Sequence, residues 1–101
     1  MLNDYRDQAH GFLNCVDPGA DLPGILRLFR EELDMLQHSV DEKQLPSTRH
    51  QIYDLLFLVM EMAAVADVDL DAEWQQGLDR KRMKYFPKSP RFIDHSHSKS
   101  V

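Results

Sequence analysis

His50-Gln51-Ile52-Tyr53-Asp54-Leu55-Leu56-Phe57-Leu58-Val59-Met60 decides the fold class. Six consecutive apolar residues follow one carboxylate. The apolar pattern continues through Ala63 and Ala66 with helical spacing, and no Pro or Gly interrupts it. Ser47 is the predicted N-cap of this helix, which runs to about Ala66 with Ile52, Leu55, Leu56, Val59, Ala63 and Ala66 as its core stripe. Leu55, Phe57, Leu58 and Met62 ring it, and a helix apolar on several sides is covered on several sides. In a chain of 101 residues that surplus predicts a second subunit.

Upstream, Asp21 is placed to cap a helix with Pro23 in its first turn. Apolar residues recur there at Leu22, Leu26, Phe29, Leu33, Leu36 and Val40, a three-then-four spacing that forms one stripe. Gln44-Leu45-Pro46 reads as the break between the two long helices, which the short connection makes antiparallel. A weaker helix spans about Asp4 to Leu13, interrupted by Gly11 and ended by Asp17-Pro18-Gly19. A last helix starts at Asp69, carries Asp71 and Glu73 at its positive end and Arg80, Lys81, Arg82 and Lys84 at its negative end, and closes at Pro87. Alternation with period two is absent over any useful length. The expected fold is an all-α, four-helix bundle over residues 1–87, completed by dimerisation, with residues 88–101 as a flexible tail.

Composition narrows the function classes. Hydrophobic residues make up 43 % and charged residues 29 %, an ordinary globular balance. The net charge of −5 argues against nucleic acid and anionic membrane as partners, since a phosphate backbone demands clustered Lys and Arg. The run Leu55–Met60 is too short to span a bilayer, and no basic-then-apolar leader opens the chain, so a cytoplasmic location is the expectation. Cys15 alone excludes an internal disulfide and reads as a half-buried small apolar residue.

The chemistry lies in two acidic clusters beside apolar stripes, Glu31-Glu32-Leu33-Asp34 and Gln51-Ile52-Tyr53-Asp54. Carboxylates at such places often share a cation, because desolvating them alone is costly. No histidine stands three residues after Glu31, Glu32, Glu42, Glu61 or Glu73, which excludes the di-iron bundle pattern. Gly-rich phosphate loops, Gly-x-Ser-x-Gly and Cys-x-x-Cys are also absent. Glu31, Glu32 and Asp34 taken alone read as a solvated helix face. Asp54 lies on one helical line with His50 and Glu61, either a channel or the wet side of the helix. Trp74 and Tyr53 could stack a base, although packing is the commoner use of such rings.

Over Leu22 to Pro87 the order of these elements resembles the MazG-like all-α nucleoside triphosphate pyrophosphohydrolases. That pattern is Glu-Glu-x-x-Glu on one helix, Glu-x-x-Asp opening the next, then a capped helix ending in basic residues and Tyr/Phe-Pro. Here it is carried by Glu31-Glu32, by Asp54-Leu-Leu-Phe-Leu-Val, by Val68-Asp69-Leu70-Asp71 and by Arg80-Lys81-Arg82-Met83-Lys84-Tyr85-Phe86-Pro87. Met35 stands where the third Glu belongs and Gln51 where the next Glu belongs. The resemblance implies hydrolysis of a (d)NTP to (d)NMP and pyrophosphate with Mg²⁺ or Mn²⁺, in a homodimer or homotetramer. It implies Glu31, Glu32 and Asp54 as catalytic residues. Glu32, Asp54, Asp34 and Gln51 would serve the metal, and Lys81, Arg82 and Lys84 the phosphates. Thioether is a poor ligand for hard cations and Gln51 brings oxygen without charge. The alternative is therefore an inactive relative that keeps the fold as a nucleotide-binding or oligomeric interaction module. On this reading, Met35→Glu with Gln51→Glu restores the missing charge.

Overall fold

The structure, a computed structural model, describes residues 1–86, so the tail expectation for residues 88–101 and the closing role of Pro87 lie outside the described residues. Four helices follow one another: α1 (Leu2–Val16), α2 (Leu22–Asp41), α3 (Leu45–Val65) and α4 (Leu70–Tyr85), with no strand among the described residues. The chain divides into two compact units, residues 1–70 and the part from Asp71 onward.

In the first unit α3 is the central element, with α2 and α1 each packed against it. The start of α2 is as the residues dictate. Asp21 has extended backbone, its side chain accepts from the Gly24 N–H at 2.9 Å, and Pro23 occupies the first turn. Gly11 does not interrupt α1. A lone glycine weakens a helix by roughly 1 kcal/mol against alanine, which packing on α3 offsets. Pro46 does not break the chain either. It sits in the first turn of α3, where no intrahelical N–H bond is lost, and Gln44 rather than Ser47 is the N-cap.

Both long helices end in the same way. After α2, the N–H of Lys43 bonds Val40 O and that of Gln44 bonds Ser39 O, with Lys43 at φ 55°. After α3, the N–H of Val68 bonds Ala63 O at 2.8 Å, with Asp67 at φ 56°. These are left-handed caps without glycine. The three-residue link Glu42–Gln44 then returns α3 along α2 as an antiparallel hairpin. At the far end Asn3 Oδ1 accepts from the Leu70 N–H at 2.8 Å, Asn3 Nδ2 donates to Asp69 Oδ1 at 2.9 Å, and Arg6 Nη1 donates to Val68 O at 2.8 Å. The start of α1 is thereby tied to the turn after α3.

The core is rotated from the expected stripes. Ile25, at 2 % exposure, is the buried residue of α2 together with Ser39, whereas Leu22, Leu26, Leu33 and Val40 are exposed. On α3 the buried residues are Met60, Glu61 and Ala63. Ile52, Leu56, Val59 and Ala66 are exposed, while Leu55, Phe57, Leu58 and Met62 are half-buried. The cause is supply: two helices carry more apolar surface than one small unit covers, so periodicity marks the faces and packing selects among them. Cys15 is exposed rather than half-buried.

In the second unit α4 carries Asp71 and Glu73 in its first turn and Arg82 and Lys84 in its last, complementing the helix dipole. Trp74 is exposed.

Candidate functional site

A cavity of about 870 Å³ opens between α1, the Asp17–Asp21 loop, α2 and α3. Its walls are mostly apolar, with Phe12, Leu13, Ile25, Leu28, Phe57 and Leu58 among them, and Tyr53 stands at its edge. Five acids reach it, Asp17, Asp21, Glu32, Asp54 and Glu61, against one cation, Arg27. A cavity of this size and lining suits a small organic ligand. That balance disfavours an anionic ligand bound without cations.

Helix geometry explains which acids enter. On α2, Glu32 shares the inner arc with Ile25, seven residues earlier, and with Leu28. Glu31, one residue back, and Asp34, two residues on, are turned to exposed positions outside the cavity wall. The expected catalytic role of Glu31 and the expected metal role of Asp34 therefore find no support in the geometry. Met35 is 51 % exposed and also outside the wall. On α3, Asp54 and Glu61 are two turns apart on one side, with Phe57 between them. His50 and His38 are exposed.

Two oxygens in this unit lack donors. Oε1 of Glu32 on α2 and Oε1 of Gln51 on α3 are both buried with no hydrogen-bond partner. Buried acceptors are normally satisfied, and each unsatisfied one costs about 1–3 kcal/mol. Both are oxygen acceptors of the type that hard cations such as Mg²⁺ or Mn²⁺ take. One of the two is neutral. Among the described residues no group of three His, Cys, Asp or Glu side chains could hold a metal. Glu32 and Asp54 are thus the two expected metal residues that line the cavity, and Gln51 lies outside its wall.

Glu61 belongs to the helical line that the sequence leaves as either a channel or the wet side of the helix. It is 5 % exposed and lines the cavity, and burial pushes its carboxyl above the ordinary carboxylate range. The available signal was its place seven residues after Asp54 on one helical line.

Lys81, Arg82 and Lys84 are exposed on α4, in the second unit, and are not part of the cavity wall. Arg82 pairs with Asp79 at 3.6 Å, and the Lys84 ammonium lies 5.3 Å from the Tyr85 ring centre. No described helix is long and apolar enough to cross a membrane. Compared with known proteins, the chain matches no family model, no curated protein and no solved structure.

Proposed function

We propose that this protein binds a nucleoside triphosphate together with a divalent cation in the α1–α2–α3 cavity and cleaves it as the MazG-like pyrophosphohydrolases do. The observation that carries the reading is the pair of donorless buried oxygens, Glu32 Oε1 on α2 and Gln51 Oε1 on α3, helices that pack together, with Glu32 and Asp54 in one cavity wall. These are the motif positions at which the resemblance requires metal ligands. Mg²⁺ or Mn²⁺ there would neutralise the polyphosphate and acidify a water. Glu32 and Asp54 hold negative charge at the cavity wall, and Phe57 and Leu58 exclude bulk water behind them. In the reaction, water attacks the α-phosphorus and the bond to the α–β bridging oxygen breaks. Nucleoside monophosphate and pyrophosphate form, and the proton released from water passes to a carboxylate of the site.

A second reading, a nucleotide-binding or oligomeric module without turnover, is favoured by one observation. Met35 is exposed and outside the cavity, so the third acid of the first motif has no substitute on α2. Pyrophosphate release from a panel of (d)NTPs with Mg²⁺ or Mn²⁺ separates the two. Release that Asp54→Asn abolishes supports the hydrolase; nucleotide binding without release supports the module.

The same domain is proposed to form a homodimer, alone or within a homotetramer, through one apolar face of the α2–α3 hairpin. Leu22, Leu26, Leu33 and Val40 of α2 and Ile52, Leu56 and Val59 of α3 are exposed, on the flanks turned away from the cavity. Covering them through a two-fold axis would complete the MazG-like bundle.

A further inference from the structure

Glu61 is the acid that neither the cation site nor the fold employs. Only 5 % of it is exposed, and among the described residues it makes no hydrogen bond and no ion pair, yet its side chain forms part of the cavity wall. Its oxygens are open to the cavity, where water or an entering ligand can bond them.

A metal shared with Asp54 is not that ligand. Seven residues separate it from Asp54, about 10 Å along the helix at 1.5 Å per residue. The cavity therefore has two chemical ends on one wall. The Glu32–Asp54 end provides oxygen for cations. The Glu61 end provides one isolated carboxyl group beside aromatic rings.

Three aromatic rings, tilted to one another, share that wall. Phe12 and Phe57 meet edge to face with centroids 5.4 Å apart, and Tyr53 lies 6.0 Å from Phe57. All three line the cavity with Glu61. Aromatic faces accept a flat heterocycle, and a carboxyl oxygen beside them, protonated or not, accepts an N–H from the ring's edge.

We propose that Glu61 is the specificity-determining residue of this site, accepting a hydrogen bond from the exocyclic amino group of an adenine-, cytosine- or guanine-type base stacked against the Phe57 or Tyr53 ring. This assignment rests on the nucleotide reading above and names the half of the ligand that reading leaves open. A uracil- or thymine-type base presents carbonyl oxygens in place of the amino group, and these repel the carboxylate. A lost hydrogen bond to a charged group corresponds to roughly tenfold to hundredfold in affinity.

The test uses the full chain with Mg²⁺ and the α,β-methylene analogues of ATP, CTP, GTP and UTP, titrated by calorimetry. At least one amino-bearing analogue is expected to bind tenfold or more tightly than the UTP analogue. Glu61→Leu, its folding checked by circular dichroism, should erase that preference by weakening the amino-bearing analogues alone. Glu61→Gln, which keeps an acceptor oxygen, should retain part of it. Asp54→Asn should weaken all four alike. Equal binding of the four analogues by the parent protein, or uniform weakening by Glu61→Leu, overturns the Glu61 assignment and leaves the nucleotide reading standing. Failure of every analogue to bind overturns both.

Discussion

Phe12 of α1 meets Phe57 of α3 edge to face, with ring planes at 90°. The pair joins two helices far apart in sequence and forms part of the cavity wall at the same point. Stability and ligand binding are therefore coupled there. In a double-mutant cycle of Phe12→Leu and Phe57→Leu, chemical denaturation should give a coupling energy of about 0.5–1.5 kcal/mol. Additive effects would show that the rings act only as separate apolar bulk.

Glu61 makes stability depend on pH in a defined direction. Burial holds its folded-state pKa above the ordinary 4.5. A carboxyl shifted upward contributes stability that is fully present below about 4.5 and is lost as pH rises through the folded value. The groups facing the same cavity are Glu32 and Arg27 from α2, Asp54 from α3, and Asp17 and Asp21 from the loop. Glu61→Gln should melt at a higher temperature than the parent near pH 7, and the difference should vanish below pH 4.5. Thermal melts across pH measure both; a constant difference would point to packing rather than charge.

What could be read from the chain, and what could not, divides along physical lines. The helix starting at Asp21-Leu22-Pro23 was legible because capping and proline geometry are local. Pro46 misled for the same reason: proline both ends helices and opens them, and only the chain's return along α2 decides which. Glu32 and Asp54 both line the cavity, yet Glu31 and Asp34, one and two residues from Glu32, do not. A cluster of acids in sequence becomes a fan of directions on a helix. Glu61 was legible only as a place on the Asp54 line, channel or wet side, because burial depends on packing that no local pattern encodes. The apolar stripes were real, but which flank is covered depends on packing partners.

The uncovered flank gives the third prediction. Leu56 is exposed on the α3 side turned away from the cavity, in line with Ile52 and Val59. Leu56→Glu should convert a dimer to monomer in sedimentation without altering nucleotide binding. Leu58→Glu should instead perturb the cavity, since Leu58 is half-buried in its wall. A parent protein that sediments as a monomer at micromolar concentration rejects the interface. So does a Leu56→Glu protein that remains dimeric.

The last prediction separates Met35 from Gln51. Met35 is exposed and outside the cavity, so Met35→Glu should change stability by no more than about 0.5 kcal/mol and leave Mn²⁺ affinity unchanged. Gln51 differs, because its Oε1 is buried and lacks a donor, as does Glu32 Oε1. Gln51→Glu adds charge where desolvation is severe, and should lower the melting temperature in chelator. With millimolar Mn²⁺ the same charge becomes a ligand. A tenfold gain in affinity would then return about 1.4 kcal/mol at saturating metal, seen as a larger Mn²⁺-dependent rise in melting temperature than the parent shows. Any pyrophosphate release should increase with it. If Gln51→Glu is destabilised equally with and without Mn²⁺, the oxygens of Glu32 and Gln51 are packing positions and the cation site is lost from this fold.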